Sequence, residues 1–157
     1  MSVLLYRIDD RLIHGQVIIG WGRPLGIDYI LLVDDDVRAS PWEQDLYRMG
    51  VPAGIEVIFA STAEAADRMA GLMAGESRGI VLAGEIRTIV DLTRAGVPIG
   101  QLNLGGIHHK PGRTERLPYL YLSDDELAAL RNLEATGVDV TAQDLPTAQP
   151  VPLKALA

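Results

Sequence analysis

The chain has 157 residues and a formal net charge of -7, from 14 Lys+Arg against 21 Asp+Glu; 48% of it is hydrophobic and it has no Cys. That length fits one domain with a sizeable core, and the missing cysteine removes disulfides, thiolate metal sites and cysteine nucleophiles. The acidic balance argues against nucleic-acid binding, which needs clustered Lys/Arg, and no run reaches the roughly 18 to 20 consecutive apolar residues of a membrane span.

Taken in order, short apolar runs alternate with amphipathic stretches. Residues 3–8, 29–33, 55–60, 79–83 and 100–104 are bounded and mostly apolar throughout, as strands buried on both faces of a parallel sheet are. Residues 117–122 and 138–141 are weaker strand candidates. Ser40-Pro41-Trp42-Glu43, Ser61-Thr62-Ala63-Glu64 and Ser123-Asp124-Asp125-Glu126 each read Ser-x-x-Glu, the capping box that opens a helix. Gly50, Gly75, Gly96 and Gly137 stand near the matching helix stops. The alternation predicts an α/β fold: a single-domain three-layer α/β/α architecture over residues 1–157, with an open, mainly parallel sheet. One strand at the C-terminal end is the candidate for antiparallel pairing. Residues 146–157, with three prolines, read as an extended arm over the surface. Residues 1–7 lack the basic region and apolar core of a signal peptide, so a cytoplasmic place is expected.

Ligands of open parallel sheets gather at the carboxyl ends of the strands. That rule selects residues 9–15, 34–40, 84–87 and 105–116. The first of these follows the first apolar run, and residues 7–17 read RIDDRLIHGQV. His14 falls at the turn from strand to helix, where free backbone amides and the helix dipole favour an anion. Arg11 offers a forked cation suited to phosphate oxygens. Gly15 lets the backbone approach a bulky group. Asp9 and Asp10 are placed to hold Arg11 or Arg7, or to fix the imidazole tautomer. A histidine beside arginine, with no second histidine or cysteine ligand, suits a phosphoryl acceptor better than a metal, because neutral imidazole is nucleophilic. On these residues alone, the reactive reading of His14 and an ordinary hydrogen-bonded one stand level.

Other residues divide similarly. His108 and His109, with Lys110, Arg113 and Arg116, read either as a basic rim facing phosphate or as a solvated loop. Asp34-Asp35-Asp36 suits a solvated or arginine-paired turn better than a magnesium site. Trp21 and Trp42 read as packing residues. No metal and no cofactor is expected, and neither a P-loop nor a dinucleotide fingerprint occurs.

The motif RIDDRLIHGQV followed by Trp21 resembles the IIB component of the mannose/fructose/sorbose class of the bacterial sugar phosphotransferase system. Val33-Asp34-Asp35-Asp36-Val37, Pro52-Ala53-Gly54-Ile55, Asn103-Leu104-Gly105-Gly106-Ile107 and Gly137-Val138 with Leu145-Pro146 extend the likeness over nearly the whole chain. The resemblance implies a phosphocarrier. His14 would take a phosphoryl group on Nδ1 from a phosphohistidine of a IIA protein. It would pass that group to the 6-hydroxyl of a sugar held by membrane IIC and IID components. Arg11 would neutralise the phosphoryl oxygens, Asp9 and Arg7 would form supporting ion pairs, and amides near His14 and Gly15 would complete the cradle. Such a chain would be free-standing and peripherally associated with its permease, with an oligomeric state left open. Two departures stand out: Asp34-Asp35 and Ala39-Ser40 replace the family's usual Asn-Asp pairs, so Asp34 is expected either to face phosphate or to pair with Arg38 or Arg11. A regulatory phosphohistidine protein and a non-covalent small-anion binder are the alternatives.

Overall fold

The computed structural model describes residues 3–157. Met1 and Ser2, with which the segment expected not to be a signal peptide begins, lie outside the described residues. Five strands form where apolar runs predict them: β1 (Val3–Ile8), β2 (Tyr29–Val33), β3 (Glu56–Ala60), β4 (Gly79–Ala83) and β5 (Gln101–Leu104). A π-helical segment (Gln16–Gly22) runs into α1 (Arg23–Leu25) after β1. Then follow α2 (Asp35–Arg38), α3 (Pro41–Met49), α4 (Thr62–Ala74) and α5 (Ile86–Arg94). The remainder holds β6 (Thr114–Leu117), β7 (Leu120–Leu122), α6 (Asp124–Ala135), β8 (Asp139–Ala142), β9 (Val151–Pro152) and a 3-10 turn (Leu153–Leu156).

Among the described residues the main sheet has seven strands in the order β3-β2-β4-β1-β5-β8-β9. Every pair in it is parallel except β8 with β9, so the antiparallel strand of the C-terminal end is β9. One face packs α4, α5 and α6 through Met69, Ile89, Leu92 and Leu130; the other packs the π-helical segment and α2 through Val17, Trp21 and Val37. Each fully buried side chain of this kind contributes about 1.5–3 kcal/mol. These layers make the three-layer α/β/α fold.

Several local expectations are corrected. Residues 117–122 are not one strand. The chain turns at Pro118, which has no N–H to give a ladder, and β6 pairs back on β7 as a separate hairpin. β5 is not apolar and buried throughout: Leu102 and Leu104 point into the core and the polar Asn103 is buried on the opposite face, while Gln101 is exposed. Ser61 and Ser123 close both bonds of their capping boxes, but Ser40 makes no side-chain cap; its helix starts on Pro41. The 146–157 segment is tied down, not laid over the surface: β9 adds to the sheet and Leu153 and Leu156 are buried. Trp21 packs in the core as expected, whereas Trp42 is 66% exposed.

Candidate active site

The chain leaves β1 toward β2 on one side of the sheet and leaves β5 toward β8 on the other, so the loops after β1 and β5 flank the switch point. Backbone bonds stitch them together, from Gly105 N–H to Ile8 O at 2.7 Å and from Asp10 N–H to Gly106 O at 2.8 Å. Leu12 turns the first loop through a left-handed φ of 60° and buries its side chain. That conformation costs a leucine about 1–2 kcal/mol, offset by burial of the side chain. The turn leaves Arg11 and His14 facing the same carboxylate.

That carboxylate is Asp9, which is fully buried. Its Oδ1 accepts the Arg11 backbone N–H at 3.1 Å and Arg11 Nε–H at 3.3 Å, and its Oδ2 accepts from Arg11 Nη2 and Arg7 Nη2, both at 3.3 Å. His14 Nε2 lies 3.1 Å from Asp9 Oδ2. The approach is off the ring N–H direction, so it is a short polar contact and not a well-aligned hydrogen bond. Burial pushes the Asp9 carboxyl up. His14, Arg11 and Arg7 more than offset this and hold it well below the usual carboxylate range.

Behind Asp9, Arg7 is completely buried at the end of β1. It donates to Asn103 Oδ1, to Gln143 O at 2.8 Å and to Asp144 O at 3.1 Å, and its guanidinium carbon lies 5.0 Å from the centroid of a Trp21 ring. Trp21 Nε1–H donates to Asp144 O at 2.9 Å. Burial lowers the Arg7 value while the neighbouring Asp9 raises it, with a net lowering. Gly105 is needed beside it, since a Cβ there would stand 2.3 Å from Arg7 Nη2.

The other face of His14 is different. Nδ1 accepts the Gln16 backbone N–H at 3.3 Å, at the amino end of the π-helical segment, while Arg11 Nη2 donates to Gln16 Oε1 at 2.7 Å. The His14 side chain, 18% exposed, borders a groove of about 260 Å³ with Gly15, Ile18, Ile19, Leu46 and Tyr47. With Nε2 on Asp9 and Nδ1 facing an amide donor, the arrangement favours the tautomer protonated at Nε2, whose nucleophilic lone pair is on Nδ1. Arg7 and Arg11 outnumber Asp9 by one charge before His14 is counted, which suits a transferring phosphoryl group.

The structure thus brings together Arg7, Asp9, Arg11 and His14, with Gly15 beside them. A Cβ at Gly15 would meet nothing within 4 Å, so the fold itself does not require glycine there. Asp10 is corrected: it holds neither arginine nor the His14 ring, but takes the His108 backbone N–H at 2.7 Å and lies 2.5 Å from His108 Nδ1. Of the basic residues in the loop after β5, Arg113 pairs with Glu126 and Arg116 with Asp124; Arg38 pairs with Glu64. Asp34 forms no ion pair with an arginine among the described residues; its Oδ1 caps α2 by accepting Val37 N–H at 2.9 Å. Among the described residues no group of three or more His, Cys, Asp or Glu is placed to hold a metal ion. Asn103, Trp21 and Gln16 are site residues that sequence reasoning gave no site role. Asn103 carried one usable signal, a polar residue inside a strand next to a Gly-Gly turn.

Comparison with known proteins converges on one class, the phosphoryl-relaying IIB domain. The family described as "PTS system sorbose subfamily IIB component" matches residues 3–157. Relatives include a sorbose-specific EIIB component of Lacticaseibacillus casei, 32% identical over 138 residues, 88% of this chain and 84% of that protein. An N-acetylgalactosamine-specific IIB component of Escherichia coli is 30% identical over 152 residues, 97% of this chain and 96% of that protein. The IIBSor domain of the sorbose permease from Klebsiella pneumoniae superposes with a TM-score of 0.91 at 28% identity, covering 99% of this chain and 96% of that one. The chain belongs to the sorbose subfamily of phosphotransferase-system IIB components, phosphotransferases of sugar transport.

Proposed function

We propose that His14 is the phosphoacceptor of this IIB component and that its Nδ1 is the reacting atom. The observation that carries this reading is the asymmetry of the ring: Nε2 is buried against Asp9 while Nδ1 faces the helix amino end beside an open groove. The donor is a phosphohistidine of a IIA protein or domain. In the first step the Nδ1 lone pair forms a bond to phosphorus as the donor's N–P bond breaks, and the donor imidazole leaves with its electron pair. The ring keeps its Nε2 proton, and Asp9 compensates the positive charge that develops on it. Arg11, partly exposed, moves onto the phosphoryl oxygens together with the Gln16 amide. In the second step a sugar hydroxyl attacks phosphorus, the His14 N–P bond breaks and the hydroxyl proton is released to the medium.

The acceptor sugar is held by membrane IIC and IID components, so the chain works at the cytoplasmic face of a permease as a peripheral subunit. Among the described residues no helix is long and apolar enough to cross a membrane. The test is to incubate the protein with phosphoenolpyruvate, the general phosphotransferase proteins and a matching IIA. Mass spectrometry should find an acid-labile phosphate on His14. A wild-type protein that stays unmodified beside a demonstrably phosphorylated donor overturns the proposal.

A further inference from the structure

Arg7 is a buried cation with four identified acceptors, and they are not equivalent. Asp9 is its charged partner among the described residues; the others are the carbonyls of Gln143 and Asp144 and the side-chain amide of Asn103. Arg7 Nε, also buried, has no acceptor among the described residues, so the guanidinium has no bond to spare. Asn103 pairs with Arg7 in the β1–β5 register, and Gly105, two residues on, clears room for the same guanidinium. The end of β5 is thus shaped around Arg7.

We propose that Asn103 is a positioning residue for phosphoryl transfer. As an uncharged acceptor it takes one N–H of Arg7 without taking its charge, which leaves that charge to Asp9 behind His14. The proposal rests on His14 being the phosphoacceptor. A carboxylate in place of the amide would give Arg7 two anions to serve. The excess of one positive charge formed by Arg7, Arg11 and Asp9 would fall to zero, weakening the hold on phosphoryl oxygens. Asp9, less satisfied by Arg7, would hold His14 more strongly as the unreactive imidazolium. The other titratable groups around Arg7 are Arg11 and Tyr119. Neither compensates, since Arg11 adds a like charge and Tyr119 is neutral with its phenol raised by burial.

The test compares Asn103→Asp and Asn103→Ser with wild type. Single-turnover transfer from phosphorylated donor is measured against pH, and the His14 ring is followed by 15N NMR without any donor. Asn103→Asp should lose about tenfold or more in transfer rate at neutral pH, with donor affinity unchanged, and shift the acid limb and the ring titration to higher pH. Asn103→Ser, too short to reach Arg7 but neutral, should slow transfer without moving the pH profile. Equal losses in both variants with no shift in Asn103→Asp overturn the proposal, as does a wild-type rate in Asn103→Asp. Should the aspartate variant not fold, wild type decides. Slowly exchanging Arg7 guanidinium protons support the cage, and exchange at the solvent rate overturns it. A wild-type protein that takes no phosphate counts against His14 as the acceptor, whereas a phosphorylated wild type with an unshifted Asn103→Asp counts only against Asn103.

Discussion

Asp9 Oδ2 lies 3.1 Å from His14 Nε2, and the same oxygen accepts from both Arg7 and Arg11. One buried oxygen therefore orients the imidazole and both cations. Asp9→Asn keeps the shape but removes the charge that supports the imidazole during transfer. It should lower the transfer rate by about 100-fold or more, measured as single-turnover decay of phosphorylated donor. A rate within twofold of wild type would separate Asp9 from the chemistry.

Arg11 is 39% exposed in its side chain, and it reaches Gln16 and Asp9 across the open side of His14. Arg11→Ala should slow transfer by about 10- to 100-fold, while thermal unfolding changes by less than about 1 kcal/mol. Arg11→Lys should recover little, since a point charge does not reproduce the fork. Circular dichroism melting and transfer kinetics on the same samples check both halves.

Tyr6 sits in the core with its hydroxyl buried and without a hydrogen-bond partner among the described residues. Burial, with Tyr29 adding to it, raises its phenol to about 12. A folded value above the unfolded one gives stability that is complete below about pH 10 and is lost as pH rises through the folded value. Tyr6→Phe removes the orphan hydroxyl, so stability at neutral pH should hold or rise by up to about 1 kcal/mol. It should also flatten the alkaline fall between about pH 10 and 12. Urea unfolding at neutral and alkaline pH reads both effects, and a large loss at neutral pH would contradict the prediction.

The capping serines separate sequence pattern from realised bonds. Ser123 Oγ accepts Glu126 N–H at 3.1 Å and Ser61 Oγ accepts Glu64 N–H at 3.2 Å, whereas Ser40 makes no side-chain cap. Ser123→Ala and Ser61→Ala should each cost about 1 kcal/mol, and Ser40→Ala only a few tenths. Chemical denaturation of the three single variants checks the ranking.

Much of the site was legible in RIDDRLIHGQV, because a reactive histidine, its cation and its carboxylate lie within one loop, where local geometry limits their distances. Asn103 was not, standing 96 residues from Arg7 in the chain and joined to it only by the β1–β5 register. The Gln143 and Asp144 carbonyls were not, because a backbone acceptor leaves no mark in residue type. The ion pairs of Arg38, Arg113 and Arg116 were not legible for a related reason: each meets a carboxylate from a distant or neighbouring segment that spacing alone does not place.

The sequence by itself determined the alternation of strands and helices, two of the three predicted capping boxes and the loop in which the chemistry sits. These follow from periodicity, cap residues and neighbours within a few positions, which local backbone physics governs. The tertiary structure alone decided that Arg7 is caged by Asn103, Gln143 and Asp144, and that Asp9 is held from behind by that buried cation. Those outcomes depend on burial and charge pairing between segments far apart in the chain, and only the closed sheet brings them within hydrogen-bond reach.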